Sequence, residues 1–178
     1  MLKIGIVGPE STGKSELAMQ LAAHYKCNWV KEYAREFLEK LKRYYIYDDL
    51  KRMAQGQIQL EDEALKEKKD FLFCDTTLMV IKVWSQFKYN KVDDWILNEY
   101  QNRKYDFYLL CDIDLQWQYD PLREQPYKRE ELFNIYLEEV KSTKSLYEIV
   151  SGTKEIRLKN AMRHIEDYIK HKHHSKLK

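Results

Sequence analysis

Short, mostly apolar runs alternate along this chain with longer stretches in which apolar residues recur every three to four positions. The runs are Leu2-Lys3-Ile4-Gly5-Ile6-Val7, Cys27-Asn28-Trp29-Val30-Lys31, Phe71-Leu72-Phe73-Cys74, Phe107-Tyr108-Leu109-Leu110-Cys111 and Tyr147 to Val150. Continuous apolar character without alternation predicts strands buried on both faces, as in a parallel sheet. Helical period predicts helices from Glu16 to Ala23, from about Ala34 with Phe37, Leu38 and Leu41 on one face, and from Asp48 or Asp49 to about Lys69. Further helices follow around Val80, Val83, Trp84 and Phe87, then from Val92 to Arg103, Arg129 to Ser145 and Ile156 to Lys170. On the longest, Met53, Ala54, Gln57, Glu61, Ala64 and Leu65 share one stripe. Its two polar members predict that part of this helix faces a polar cleft.

Strands separated by helices define an α/β fold, here a three-layer α/β/α arrangement around a parallel sheet of about five strands. Ligands of such sheets bind beyond the carboxyl ends of the strands. The acids that end the predicted strands, Glu32, Asp75, Asp112 and Asp114, are therefore the first candidates for chemistry. Residues 112–128 hold Pro121 and Pro126 and read as a loop or lid. The expected organisation is one domain over residues 1–170, with that lid, and a basic tail at 171–178. The tail, with His171, His173 and His174, is expected to be disordered rather than metal-binding.

The bulk properties narrow this picture. With 31 basic and 29 acidic residues in 178, the net charge is only +2, which argues against a nucleic-acid-coating surface. No signal peptide precedes the first strand and no apolar run approaches the length of a membrane span, so the expectation is a cytoplasmic protein without nucleic-acid or membrane partners. Cys27, Cys74 and Cys111 are too widely spaced for a zinc cluster or a disulfide framework and read as buried apolar residues. Oligomeric state is left open.

The first strand runs directly into Gly8-Pro9-Glu10-Ser11-Thr12-Gly13-Lys14-Ser15, a complete G-x-x-x-x-G-K-S phosphate loop, and a helix follows it. Gly8 and Gly13 permit backbone angles that let successive N–H groups converge on phosphate oxygens. Lys14 is placed to reach the β- and γ-phosphates and Ser15 to hold Mg²⁺, while the helix dipole favours the same anion. Asn90-Lys91-Val92-Asp93 spells a guanine-reading motif, but it follows a helical pattern instead of closing a strand. No glycine has an aspartate three residues before it, so the switch of a GTPase is missing as well. A kinase needs an acceptor pocket, a carboxylate and covering cations. Asp75 suits the metal or base position and Glu32 the acceptance of a hydroxyl proton, the choice of base remaining open; Arg123 would come from the lid. A strand-end aspartate also suits a helix cap.

Five blocks together resemble the ribosylnicotinamide kinase domain that in bacteria is often fused to a nicotinamide mononucleotide adenylyltransferase. They are the phosphate loop, Glu32-Tyr33-Ala34-Arg35-Glu36, Ala54-Gln55-Gly56-Gln57 with Asp62, Phe73-Cys74-Asp75-Thr76, and Trp117 with Asp120-Pro121-Leu122-Arg123. The resemblance implies a P-loop fold that uses ATP and Mg²⁺ to phosphorylate the ribose 5′-hydroxyl of nicotinamide riboside, giving nicotinamide mononucleotide for NAD synthesis. It implies nucleotide binding by Gly8, Glu10, Ser11, Thr12, Gly13, Lys14, Ser15 and Glu16, and a metal at Ser15 and Asp75. It places Glu32, Tyr33, Arg35, Trp117 and Asp120 at the acceptor, and Lys14, Glu32, Asp75 and Arg123 in catalysis. The chain departs from the family pattern at Thr77, where members often have aspartate, and at Pro121, where they have glycine. No H-x-G-H motif of a nucleotidyltransferase occurs, so the expectation is a kinase domain standing alone. The alternatives are a kinase for another nucleoside and a regulatory ATPase or nucleotide-binding module.

Overall fold

The apolar runs become the strands of a single sheet. A computed structural model describes residues 1–175, with side chains to residue 172. In chain order the elements are β1 (Leu2–Val7), α1 (Lys14–His24), β2 (Trp29–Val30), α2 (Tyr33–Lys40), α3 (Tyr47–Leu65), β3 (Phe71–Asp75) and α4 (Leu78–Tyr89). Then follow α5 (Asp94–Asn102), β4 (Phe107–Cys111), α6 (Arg129–Ser142), β5 (Leu146–Val150) and α7 (Lys154–Ser175). Among the described residues the five strands pair in the order β2-β3-β1-β4-β5, all parallel. The fold is the expected three-layer α/β/α arrangement.

Both faces of the sheet are covered, which is why its strands read as unbroken apolar runs. Ile4, Ile6, Phe73, Phe107 and Leu109 pack against Leu17 and Leu21 of α1 and Ala161 and Ile165 of α7. Val7, Leu72, Cys74, Tyr108 and Leu110 face the other way, against Met79 and Val83 of α4 and Leu132, Tyr136 and Val140 of α6. Gly5 leaves room on that face: a Cβ there would stand 2.7 Å from the Tyr108 ring. A third cluster, with Leu50, Met53, Leu78, Ile81 and Ile96, joins α3, α4 and α5.

Several boundaries move for identifiable reasons. The N-cap of α3 is Ile46, not Asp48 or Asp49; Asp49 lies in the first turn, where Oδ2 accepts the Ile46 N–H at 2.9 Å and Arg43 grips both carboxylate oxygens at 2.7 and 2.9 Å. The Asn90-to-Asp93 segment is a helix-to-helix connection: Asn90 ends α4 in the left-handed conformation (φ 52°), and Asp93 caps α5 by accepting the Trp95 N–H at 2.9 Å. The second strand shrinks from five expected residues to Trp29–Val30, paired with β3 alone. Helix α7 continues five residues past the expected end, so the segment expected as a disordered tail is helical to Ser175. Lys172 there donates to Asp106 Oδ1 at 2.7 Å. The side chains of His173 and His174, and residues 176–178, lie outside the described residues.

Met53 and Ala64 of the α3 stripe line cavities, but its two polar members do not. Gln57 and Glu61 are fully buried. Glu61 accepts from the Tyr105 hydroxyl at 2.6 Å and pairs with Lys3 Nζ at 2.6 Å, which welds α3 to the start of β1. No helix among the described residues is long and apolar enough to cross a membrane.

Removing one partner of such a pair leaves a buried charge without compensation. Lys3→Met should lower the unfolding free energy by about 3–5 kcal/mol, read as a shift in the urea midpoint with unchanged slope. A shift within error of zero would show that Glu61 is not held as a buried anion by Lys3.

Candidate active site

Parallel registry brings the chemistry to one end of the sheet. Ile6 of β1 lies opposite Asp75 of β3, and Val7 opposite Leu110 of β4, so the loop leaving β1 starts between two strand ends. That loop turns through left-handed φ at Gly8 (134°), Ser11 (57°) and Gly13 (76°), of which Ser11 was not foreseen. A Cβ on Gly8 would stand 2.9 Å from the Cys111 carbonyl oxygen, so only glycine fits the crossing over β4. Thr12 Oγ1 and Lys14 Nζ each donate to the Pro9 carbonyl at 2.8 Å. Gly13 caps α1 without a side chain, leaving the first N–H groups of the helix directed at whatever anion enters the loop.

Asp75 ends β3 with 1 % of its surface exposed, and its Oδ1 makes no hydrogen bond among the described residues. Burial, followed by the nearby Glu32 carboxylate, pushes its pKa up to about 6, against the opposing pull of Lys14, the Ser15 hydroxyl and Arg35. Asp75 is not a helix cap; Thr77 does that work, accepting the Met79 N–H at 3.2 Å. Glu32 occupies the N-cap position of α2 but makes no capping bond with its side chain, and it borders the three cavities around the loop.

Residues 112–128 form no helix or strand and lie over the phosphate loop. Glu10 accepts backbone N–H groups of Glu124 (3.1 Å) and Gln125 (3.0 Å), and burial raises its pKa despite those bonds. Gln118 N–H donates to Ser11 Oγ at 2.9 Å. Arg123 sits with its guanidinium 6.0 Å from the centre of the Trp117 ring, and its Nη1 donates to Gln118 O at 2.6 Å and reaches Ser11 Oγ at 3.4 Å. Arg35 and Asp120, both expected at the acceptor, bind each other at 2.9 Å and tie α2 to this loop. Tyr33 packs against Gly56 of α3, where a Cβ would meet its ring at 2.1 Å.

Three cavities meet here. One of about 500 Å³ is lined by residues 10–16 together with Arg35, Leu115, Arg123, Thr153 and Lys154. A narrower one of about 100 Å³ is lined by Tyr45, Met53, Ile81, Trp84 and Tyr136, with Glu10, Glu32 and Glu124 as its acids. The two share Glu10, Lys14, Glu32, Leu38 and Leu122. A third, of about 550 Å³, opens beside the short β2, with Tyr33, Arg35, Ser15 and Asp75 on its walls.

Sequence reasoning missed several groups. Arg129 donates to Leu115 O (2.8 Å) and Ser11 O (3.1 Å), and its position at the start of α6, where a cation opposes the helix dipole, was the available signal. Arg157 is buried and bonds Val150 O and Gly152 O, both at 2.9 Å, and it pairs with Asp114. Tyr45, Trp84 and Lys88 had no signal: the Tyr45 hydroxyl accepts from Trp84 Nε1 (2.6 Å) and Lys88 Nζ (2.7 Å), and Lys88 also pairs with Glu124 (2.7 Å).

The fold and this loop together define a P-loop nucleotide-binding protein. The chain belongs to the AAA domain family, whose sequence model matches residues 3–157. Among solved structures it is similar to NadR protein in complex with NAD and AMP-PNP, with a TM-score of 0.77 and 19% identity over 94% of this chain and 49% of that one. NadR protein in complex with NR gives a TM-score of 0.78 at 19% identity, over 94% of this chain and 50% of that one. Deoxyadenosine kinase from M. mycoides with bound dATP shares the fold at a TM-score of 0.56 and 16% identity, over 93% of this chain and all of that one. The chain spans about half the length of the NadR chains.

The raised pKa of Asp75 has a consequence for stability. Below pH 3.8, its ordinary value, both folded and unfolded chains hold the proton; between there and about 6 only the folded chain does. Stability is therefore lost as pH rises through that window, by about 3 kcal/mol at most. Asp75→Asn should be more stable than the wild type at pH 7.5 by about that amount and nearly equal to it at pH 4, in urea titrations with a chelator present. No advantage at pH 7.5 would mean that burial does not penalise this carboxylate.

Proposed function

We propose that this protein is an ATP-dependent nucleoside kinase, and that its acceptor is nicotinamide riboside. The observation that carries the reading is that the large polar cavity on the phosphate loop and the narrow aromatic cavity share Lys14 and Glu32. A donor bound in the first and an acceptor ring bound in the second would meet between those two side chains. The narrow cavity is lined by Tyr45, Trp84 and Tyr136 together with three carboxylates and one lysine. That lining favours a planar cation, and the nicotinamide ring of the riboside is one. The five sequence blocks and the likeness to NadR in complex with NR support the same acceptor.

In this reading the open N–H groups of α1 and Lys14 bind the β- and γ-phosphates, and Arg123 and Arg129 cover them from above. The ribose 5′-oxygen attacks the γ-phosphorus, the bond from that phosphorus to the β–γ bridging oxygen breaks, the hydroxyl proton passes to Glu32, and ADP leaves. A buried carboxylate oxygen without a hydrogen bond, next to a serine at the head of α1, is a donor set that suits a hard cation, so Asp75 and Ser15 would hold Mg²⁺. Bound there, the ion would neutralise charge on the phosphates. Tyr45, Trp84 and Leu122 keep water from the transfer.

A coupled ADP-release assay with nicotinamide riboside, adenosine, deoxyadenosine and thymidine should give the highest kcat/KM for nicotinamide riboside. Preference for a neutral nucleoside would overturn the acceptor; no stimulation over background ATP hydrolysis by any of them would overturn the kinase. Lys14→Ala should cost about 10²–10³ in kcat, the usual effect of losing one donor to a developing charge. Trp84→Ala should instead raise the acceptor KM about tenfold and leave the ATP KM alone. Equal effects on both substrates would remove Trp84 from the acceptor pocket.

A further inference from the structure

Gln57 sits in the middle of α3 with no exposed surface, and its amide makes three hydrogen bonds. Oε1 accepts the Tyr33 N–H at 2.9 Å, and Nε2 donates to Lys31 O and Thr76 O, both at 3.2 Å. Lys31 and Tyr33 are the residues on either side of Glu32, and Thr76 is the residue after Asp75. One side chain therefore holds the backbone of both carboxylates from below.

The sheet holds the two backbones unequally: Asp75 is in register with Ile6 of β1, whereas the pairing of β2 stops short of Glu32. The edge strand β2 ends at Val30, so no ladder reaches the residues around Glu32. Thr76 is β-branched yet left-handed (φ 69°), a strained conformation that persists only when its surroundings enforce it. Its buried hydroxyl has no hydrogen bond among the described residues; its N–H goes to Ile6 O at 3.2 Å and its carbonyl to Gln57. A primary amide is suited to joining the two segments, because it offers two donors and an acceptor in one plane; an ionised carboxylate would offer no donor.

We propose that Gln57 is the positioning residue that sets the separation of Glu32 and Asp75, and so the alignment of acceptor hydroxyl and donor phosphate. This rests on the reading of those two acids as proton acceptor and metal-side carboxylate. Misplacement of a reacting group by about 1 Å costs on the order of 10²-fold in rate. Gln57 touches neither substrate, so the loss falls on kcat.

The test compares wild type with Gln57→Met, which loses all three bonds, and Gln57→Glu, which keeps shape and acceptor oxygen but loses the donors. Rates are taken per folded molecule, well below each melting temperature. Expected is a fall in kcat of about 10²-fold, with acceptor KM and ATP affinity each within threefold of wild type. A kcat within threefold of wild type, alongside a lowered melting temperature, would reduce Gln57 to a stabilising residue and overturn the proposal. If Gln57→Met does not stay folded, Gln57→Glu carries the same readings. If the wild type phosphorylates no nucleoside, the kinase reading is what fails, and amide exchange decides the clamp. Faster exchange confined to Tyr33 and its neighbours in the variant supports it, and unchanged protection there overturns it.

Discussion

The parallel pairing of β1 between β3 and β4 is the constraint on which everything functional depends. It fixes the end of β1 beside Asp75 on one side and Leu110 on the other, so the loop from Gly8 to Ser15 must emerge where a strand-end carboxylate already stands. Gly8 can cross Cys111 only because it lacks a side chain. Helix α1 leaves the loop to pack across the face made by Ile4, Phe73 and Phe107. A shift of β1 by one residue would turn its apolar side chains to the wrong faces and carry the loop away from Asp75 together.

Charge at the site is arranged in opposition. Glu10, Glu32 and Asp75 gather around a loop built for anions, and the pKa values of Glu10 and Asp75 rise because burial strips water from them. Cations stand around the rim: Lys14 on the Pro9 carbonyl, Arg35 on Asp120, Arg123 and Arg129 on loop carbonyls. Their present partners are modest ones, mostly neutral oxygens, which a phosphate group outcompetes as an acceptor.

The strands, the phosphate loop and the helix behind it were legible because each has a local signature within a few residues. Pairings across the chain were not. In sequence Gln57 and Glu61 point to a cleft, because a polar residue on an apolar stripe looks the same whether its partner is solvent or a distant backbone group. Their hydrogen-bond partners lie 19 to 44 positions away, and nothing in the local pattern points to them. The family resemblance implies Arg35 and Asp120 at the acceptor; that they also pair with each other, 85 positions apart, is visible only in the fold. The aromatic cavity was invisible because Tyr45, Trp84 and Tyr136 come from a loop and two helices, and one ring in a chain of fourteen tyrosines carries no mark of its destination.

Helix α2 is seated unlike the others. None of its eight residues is fully buried, and only Ala34, Phe37 and Leu38 rest on the apolar cluster beneath. Its first residue is fastened by the Gln57 amide, and its flank is roped to the covering loop by Arg35 and Asp120. The helix is thus held by polar contacts to two distant parts of the chain more than by burial of its own side chains, and Glu32 stands at its head between them.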